Sequence, residues 1–490
     1  MTSRSLVRIS LATLVFALLV RSAVLFPNMS GLGDDWDSYG RLAVNWSESS
    51  VYGFEASNGS VRPTAFRPPL YPWLLSWLVE DGQVWLAGVA ALHLTLGLAS
   101  VWLTLSIGRK LGLAWAPLAA VAVTLDPLLM RASQLLMTET LATLLALAAW
   151  RVWLAIGLTP QASRDSKSVD ECVQTSIGMA CGLALGLGLL LGMAVLARPT
   201  AAPWAAGCTA TLWWLGSRSW KQRLCNCAMA AVGVSICVLP WTLRNQAQLG
   251  KSIWATSHGG YTLMLANNPS LYRHFAQNGP SRDWDADYFH AAWAARDRHS
   301  ASDMLDAAYW LAPPAAPLPP ALQAAAADQP KILQPGEPPV EQIDVSALDH
   351  TNINVTSSVS PIAQELSDDH LAYAVAKATI ARQPETFVLS IAYRIGWFWA
   401  WWPNDVSISS TIAIGGWYFL WFVAGIGGLW FHRKRRALLV GFLPALILIL
   451  TLTVIHSVYW SNMRMRAPLM PIVYLLAICP LAGRTAVARN

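Results

Sequence analysis

Asp34, Asp35 and Asp37 fall within four residues, in the run Gly33-Asp34-Asp35-Trp36-Asp37-Ser38-Tyr39. Crowded acids repel and raise one another's pKa unless a cation or basic group joins them, an arrangement that suits a general base or a metal ligand. The same run also reads as a solvated acidic loop with a helix N-cap at Asp34 or Asp37. Next comes Arg67-Pro68-Pro69-Leu70-Tyr71-Pro72, a guanidinium beside a rigid turn. Arg grips phosphate through two hydrogen bonds, which near the headgroups suits a lipid phosphate; the alternative is a proline-built connector with a snorkelling Arg. Glu139 lies in Leu136-Met137-Thr138-Glu139-Thr140 at the edge of an apolar run, with Asp126 before it. An acid at a membrane edge is expensive and marks a functional candidate, although Thr138 and Glu139 also form a good first helical turn and Asp126 reads as structural. Arg198, Arg244, Arg464 and Arg466 stand at other span edges, with His258 in His258-Gly259-Gly260-Tyr261; each Arg either meets an anion or anchors to headgroups.

The elements that must position these groups are membrane helices. Of the 490 residues, 54% are hydrophobic and 13% charged, with mean hydropathy +0.40, whereas about a quarter of a soluble domain is charged. The clearest spans are Val84 to Ile107, Thr175 to Ala197 and Val406 to Phe431, all without Asp, Glu, Lys or Arg; weaker ones are 8–26, 112–130, 138–157, 199–217, 226–243, 437–455 and 467–483. The reading is an all-α polytopic membrane protein with about ten transmembrane helices. With ten spans and a cytoplasmic start, six basic clusters, among them Arg433-Lys434-Arg435-Arg436, fall on the cytoplasmic face, and both termini lie there. The net charge of +6 is then topological, and no nucleic-acid partner is implied. The first span keeps Arg21 and has no small-residue cleavage site after it, so it reads as a retained anchor. All seven cysteines lie in spans or cytoplasmic loops, which leaves the outer segments without disulfide staples, and Cys225 with Cys227 makes only a CxC.

Three regions follow: residues 1–270, an N-terminal transmembrane region whose outer loop 27–83 holds the catalytic core; a large outer segment, 244–405; and a C-terminal transmembrane region, 406–490. The outer segment contains an Ala/Pro tract at 311–339 whose composition favours disordered, extended chain, an irregular outer loop. Residues 370–402 look helical and apolar, but counting them as a span would put the basic cluster after Phe431 on the wrong side. They read as an interfacial or re-entrant helix with Trp397, Trp399, Trp401 and Trp402 at headgroup level.

The order of these motifs resembles the GT-C class of membrane glycosyltransferases, in particular its bacterial aminoarabinose-transferase and protein O-mannosyltransferase branch. The resemblance rests on Asp35-x-x-x-Tyr39, Arg67-Pro-Pro-Leu-Tyr-Pro72, Thr138-Glu139, Ala197-Arg198-Pro199, Leu239-Pro240-Trp241-x-x-Arg244-Asn245 and Arg464-Met-Arg466-Ala-Pro468. It implies a sugar donor on a polyprenyl phosphate and transfer to a lipid, glycan or protein acceptor among membrane lipids. It also implies a bacterial inner-membrane protein with its active site on the periplasmic, outer side.

On that resemblance, an Asp general base, Asp35 by its spacing to Tyr39 with Asp34 and Asp37 as alternatives, activates the acceptor for inverting transfer. Arg67, Arg244, Arg464 and Arg466 would hold the donor phosphate, Tyr39, Tyr71 and His258 would bind substrate, and Glu139 would orient the acceptor. Glu139 with Asp35 is also the place for a divalent metal, the one cofactor considered. The competing reading is a transporter or lipid flippase, which predicts paired broken helices in repeated halves; the sequence shows no such repeat.

Overall fold

The computed structural model describes residues 3–56, 58–157, 169–215, 219–311, 361–403 and 406–481. Apart from two short antiparallel hairpins, Gly53–Glu55 with Val61–Pro63 and Val79–Glu80 with Gln83–Val84, the secondary structure of these residues is helical. Six helices are long and apolar enough to cross a membrane: Val7–Gly33, Leu86–Lys110, Glu139–Ile156, Gly178–Ala197, Trp220–Leu249 and Ile408–Phe431. A seventh span results if Ala116–Leu125 and Pro127–Ser133, bent by 54° at Asp126, are counted as one.

Several of these helices present a lipid-facing stripe. On Ile408–His432 exposed apolar side chains recur every three, four or seven residues, at Ile412, Phe419, Val423, Ile426 and Trp430. Val232, Ile236, Leu239 and Leu243 do the same on Trp220–Leu249. An apolar stripe with no protein against it belongs in hydrocarbon.

Ten spans is therefore too many for the described residues, and proline explains the excess. Within 199–217 the described residues, up to Leu215, form a 3-10 turn at Pro199–Ala201 and a helix of 14 residues, Ala202–Leu215. Residues 437–455 contain a break before Pro444, which leaves Leu443–Val458 with 16 residues. The described residues of 467–483, up to Leu481, hold the 8-residue helix Met470–Ala477 between 3-10 turns that contain Pro468 and Pro480. Proline removes a backbone donor and clashes with the preceding turn, so an apolar run interrupted by it need not be one helix. The last of these runs is apolar for another reason: Leu469, Met470, Tyr474 and Leu475 are fully buried among other helices, away from lipid. The even count that put every basic cluster on one face goes with the tenth span.

At the bend, Asp126 accepts the Leu129 N–H at 2.6 Å and the Tyr474 hydroxyl, while the Tyr418 hydroxyl accepts the Leu128 N–H at 3.0 Å. Asp126 thus caps the second half of the broken span, the structural role its sequence position suggested.

Residues 259–311 and 361–398 build a second core around Leu271, Tyr272, Phe275, Phe289, Met304 and Trp310. Its helices are Gly259–Ala266, Pro269–Asn278, Asp287–Ala294, Ala301–Leu305, Ala307–Leu311, Pro361–Arg382 and Pro384–Phe398. The segment 244–405 is thus largely folded where it is described, and all but Leu311 of the Ala/Pro tract lies outside the described residues. Its apolar stretch at 370–402 is two helices broken at Gln383, because Pro384 opens the second. Trp401 and Trp402 are exposed, but Trp397 is buried in the second core and donates to Pro280 O at 2.9 Å. Arg394 joins this layer to the bundle, donating to Ala266 O and Ser457 O at 2.7 Å each, carbonyls at helix ends that have no helical partner.

Candidate active site: a cavity lined by alternating acids and arginines

A cavity of about 1580 Å³ opens between the first outer loop, the start of helix Glu139–Gly157, residues 252–262, helix Pro361–Arg382 and residues 455–465. Five charged side chains form a chain along its wall. Arg67 Nη2 lies 2.7 Å from Asp37 Oδ1, and Arg464 Nη2 lies 3.9 Å from Asp37 Oδ2. Arg464 Nε reaches Glu139 Oε1 at 3.1 Å, and Arg198 Nη1 reaches the same oxygen at 3.5 Å. Three guanidinium groups thus face two carboxylates, a surplus of one positive charge. Glu139 Oε2 has no hydrogen-bond partner, and Arg198 Nη1 and Arg464 Nε meet Glu139 without hydrogen-bond geometry. Buried charge with unspent hydrogen-bonding capacity is costly unless a ligand completes it.

Local structure aims each group. Ser38 takes a left-handed conformation (φ 60°) that turns the chain into helix Tyr39–Ser49 and leaves Asp37 on the cavity side. Arg67 is fixed by its Nε bond to Asp37 O (3.1 Å), by the Phe66 ring 4.7 Å beneath it, and by the Tyr52 hydroxyl, which donates to Arg67 O at 2.7 Å. Glu139 opens its helix and is 2% exposed, and Arg198 directly follows the helix that ends at Ala197. Arg464 sits in the turn capped by Asn462, whose side chain accepts the Arg464 N–H at 3.1 Å.

The electrostatics follow from these contacts. Burial pushes the Asp37 carboxyl up, but the guanidinium groups of Arg67 and Arg464 outweigh it and hold the group below the usual carboxylate range. Arg464, whose charge burial disfavours, is held above its ordinary value by Glu139 and Asp37. Burial pushes the Tyr39 phenol to about 12, and burial together with Arg67 keeps the His258 imidazole well below its ordinary value, hence neutral.

Among the solved structures that resemble this chain are two that hold a bound lipid phosphate. One is the archaeal oligosaccharyltransferase AglB from Archaeoglobus fulgidus in complex with an inhibitory peptide and a dolichol-phosphate, at 13% identity and a TM-score of 0.48 over 96% of this chain and 50% of that one. The other is ArnT from Cupriavidus metallidurans bound to undecaprenyl phosphate, at 15% identity and a TM-score of 0.39 over 98% of this chain and 78% of that one. The chain spans about half the length of the oligosaccharyltransferase it resembles. No family model and no curated protein matches it.

Of the residues singled out from the sequence, Asp37, Glu139, Arg67, Arg464, Tyr39 and His258 line this cavity. The others have different neighbours. Asp35 accepts the N–H groups of Gly40 (2.9 Å) and Arg41 (2.8 Å), so it secures the start of helix Tyr39–Ser49 and does not line the cavity. Burial raises its pKa against those two bonds. Asp34 is exposed outside the cavity. Arg244 donates to Thr64 O (2.7 Å) and Tyr52 O (2.6 Å), and Arg466 to Phe398 O (2.7 Å) and Ala400 O (2.6 Å), so both hold backbone in place. Tyr71 is fully buried, its hydroxyl 2.8 Å from His93 Nε2.

Arg198 carries a role that the sequence left as one arginine among several. Glu365, Asp368 and Asp369 also line the cavity; their spacing of three and four places them on one face of a helix, a signal the sequence contained. Asp368 pairs with Arg296 at 2.8 Å, and Glu365 accepts from Thr64 Oγ1 (2.7 Å), Ala65 N–H (3.1 Å) and the Ser257 hydroxyl. His456, a single imidazole in an apolar run, is 5% exposed, bonds Trp460 O through Nδ1 at 2.9 Å, and leaves Nε2 without a partner.

Among the described residues no group of three His, Cys, Asp or Glu side chains is placed to hold a metal ion. The two carboxylates of the charge chain are matched with guanidinium groups, which suits an anion better than a divalent cation. Of the suggested metal pair, Glu139 lines the cavity and Asp35 does not.

Proposed function

We propose that this chain is a GT-C-like membrane glycosyltransferase that takes a sugar from a polyprenyl-phosphate donor and passes it to a lipid, glycan or protein acceptor. The observation that carries the reading is the surplus of guanidinium over carboxylate in a large cavity at the edge of the membrane helices. A sugar on a lipid phosphate brings one negative charge to such a wall, and bond breaking at the anomeric carbon adds charge to the departing phosphate. Arg67, Arg198 and Arg464, already held in place, stabilise that growing charge more than the bound donor's. The same family name fits the AglB and ArnT likeness, which was found with bound dolichol-phosphate and undecaprenyl phosphate in those proteins.

Asp37 is the general base in this reading. It takes the proton of the acceptor hydroxyl or amine as that atom bonds to the anomeric carbon, and the electron pair of the breaking C–O bond leaves with the lipid phosphate. Attack from the face opposite the leaving group inverts the carbon. Asp35 has the higher proton affinity, but reach precedes pKa in the choice of a base, and its oxygens are engaged by backbone N–H groups. Glu139 holds Arg198 and Arg464 in register. A site facing the periplasm of a bacterial inner membrane belongs to the same proposal.

The test is a panel of radiolabelled polyprenyl-phosphate sugars offered to purified protein in lipid. Asp37→Asn is expected to abolish transfer while retaining donor binding, and Arg67→Ala to weaken donor binding. Transfer at the wild-type rate by Asp37→Asn removes the base assignment, and unchanged donor affinity in Arg67→Ala removes the phosphate role.

A further inference from the structure

Far from the cavity, two thiols meet between membrane helices. Cys181 lies on helix Val169–Ala197 and Cys225 on helix Trp220–Leu249, with the sulfur atoms 2.6 Å apart. The contact is a consequence of how the helices approach. A Cβ on Gly188 would collide with the backbone of Ala230, and one on Gly233 with the backbone of Leu185 and Gly188, so these glycines let the two backbones touch. Cys181, Gly188 and Gly192 lie seven and four residues apart on one helix; Asn226, Ala230, Gly233 and Cys237 recur every three or four on the other. The thiols stand at one end of this seam. Around them, Gln222 Nε2 donates to Asn226 Oδ1 at 2.8 Å and lies 3.6 Å from Cys181 Sγ, a buried polar pair that fixes the side chains.

We propose that Cys181 and Cys225 are a redox-sensitive dithiol, a modification site that closes to a disulfide between the two helices when the cell's thiol–disulfide poise turns oxidising. The oxidant is a small disulfide. One thiolate of the pair attacks it, forming a mixed disulfide and releasing one thiol; the second thiolate then displaces the other half. Two protein thiols lose two protons and two electrons, and the incoming disulfide leaves as two thiols. The bond locks a helix pair that supports both sides of the cavity: one helix ends at Ala197, directly before Arg198, and the other carries Arg244, which holds the loop bearing Arg67. The dithiol proposal does not depend on the reaction assigned to that cavity.

The test uses the full chain with a protease site replacing residues 216–218, which lie between the two helices in sequence. After treatment with oxidised glutathione in membranes and cleavage, the wild type is expected to run as one species without reductant and as two fragments with dithiothreitol. Cys181→Ser and Cys225→Ser are each expected to give two fragments throughout, and Cys237→Ser to stay joined like the wild type. Wild-type fragments that separate without reductant overturn the proposal, as does a Cys181→Ser chain that stays joined.

Discussion

Replacing Glu139 with Gln separates a site built for an anion from a set of ion pairs that serves only the fold. Glu139 is 2% exposed and lies 3.1 Å from Arg464 Nε and 3.5 Å from Arg198 Nη1. At an effective dielectric of ~20, each such contact is worth about 5 kcal/mol of direct attraction. Most of it offsets the desolvation of the ions, so removing one partner of a buried pair typically costs about 3–5 kcal/mol net. Gln keeps the shape and one acceptor, which puts the expected loss near the lower end, about 3 kcal/mol. The effect on the ligand has the opposite sign. Without Glu139 the wall carries two surplus positive charges where it carried one, and a phosphate about 6 Å from the lost carboxylate is spared roughly 3 kcal/mol of repulsion before screening. After screening, about tenfold tighter binding of a polyprenyl phosphate is expected, ~1.4 kcal/mol. Melting in detergent reads the first effect, and titration with undecaprenyl phosphate at two salt concentrations reads the second. A Glu139→Gln protein that melts lower and binds the lipid phosphate more weakly refutes an anion-binding role for the wall, because a purely structural network predicts losses in both.

Three other substitutions give distinct signatures. Arg464→Met is expected to weaken donor binding and also to lower melting, because it takes a partner from Glu139 and Asp37, whereas Arg466→Met leaves the carbonyls of Phe398 and Ala400 unpaired, at about 1–3 kcal/mol each, and leaves donor affinity intact; equal donor losses refute the division. His456→Phe preserves the stack on Phe398 but removes both the Nδ1 bond to Trp460 O and the unpartnered Nε2, so a loss of about 1–3 kcal/mol in stability and a KM raised about tenfold are expected. An unchanged KM refutes a ligand contact there. Burial raises the Asp369 carboxyl to about 6, against the Gly260 N–H bond at 2.6 Å that favours its charged form. The folded protein therefore holds a proton that the unfolded chain has lost between about pH 4 and 6, so this group makes stability fall as pH rises through that window. Asp369→Asn is expected to flatten that part of a melting curve taken against pH, and an unaltered slope refutes the assignment.

The membrane class and half of the candidate site are legible in the sequence because they depend on composition and on residue types that are expensive at a membrane edge. Asp37, Glu139, Arg67 and Arg464 stand out for that reason. What hydropathy cannot register is backbone continuity, so the runs at 199–217, 437–455 and 467–483 look like spans although their described residues hold helices of 14, 16 and 8 residues, each with a proline in its first turn. Nor does spacing reveal that both oxygens of Asp35 accept backbone N–H groups five and six residues on, since that depends on the left-handed turn at Ser38. Asp35 and Asp37 differ by two positions in the chain, and that turn gives one to a helix start and the other to the cavity.

The same blindness explains the arginines. In a bundle with many broken helices, each break leaves carbonyl groups that neither lipid nor the helix can satisfy. Arg21, Arg394 and Arg466 donate to such carbonyls, at Val123, at Ala266 and Ser457, and at Phe398 and Ala400, while Arg244 donates to Tyr52 O and Thr64 O at the base of the first hairpin. Arg198 and Arg464 face a buried carboxylate with hydrogen-bonding capacity left over, and Arg67 faces the acid at the other end of the same chain. All these residues read alike in the sequence, as cations near an apolar edge. They divide by what they satisfy: an arginine bound to a carbonyl closes a gap in the backbone, and an arginine sharing an under-bonded acid waits for a third partner. A lipid phosphate is such a partner in both charge and number of acceptor oxygens, and on that ground the proposed donor site takes Arg198 and Arg464, with Arg67 joined to them through Asp37, and leaves out Arg244 and Arg466.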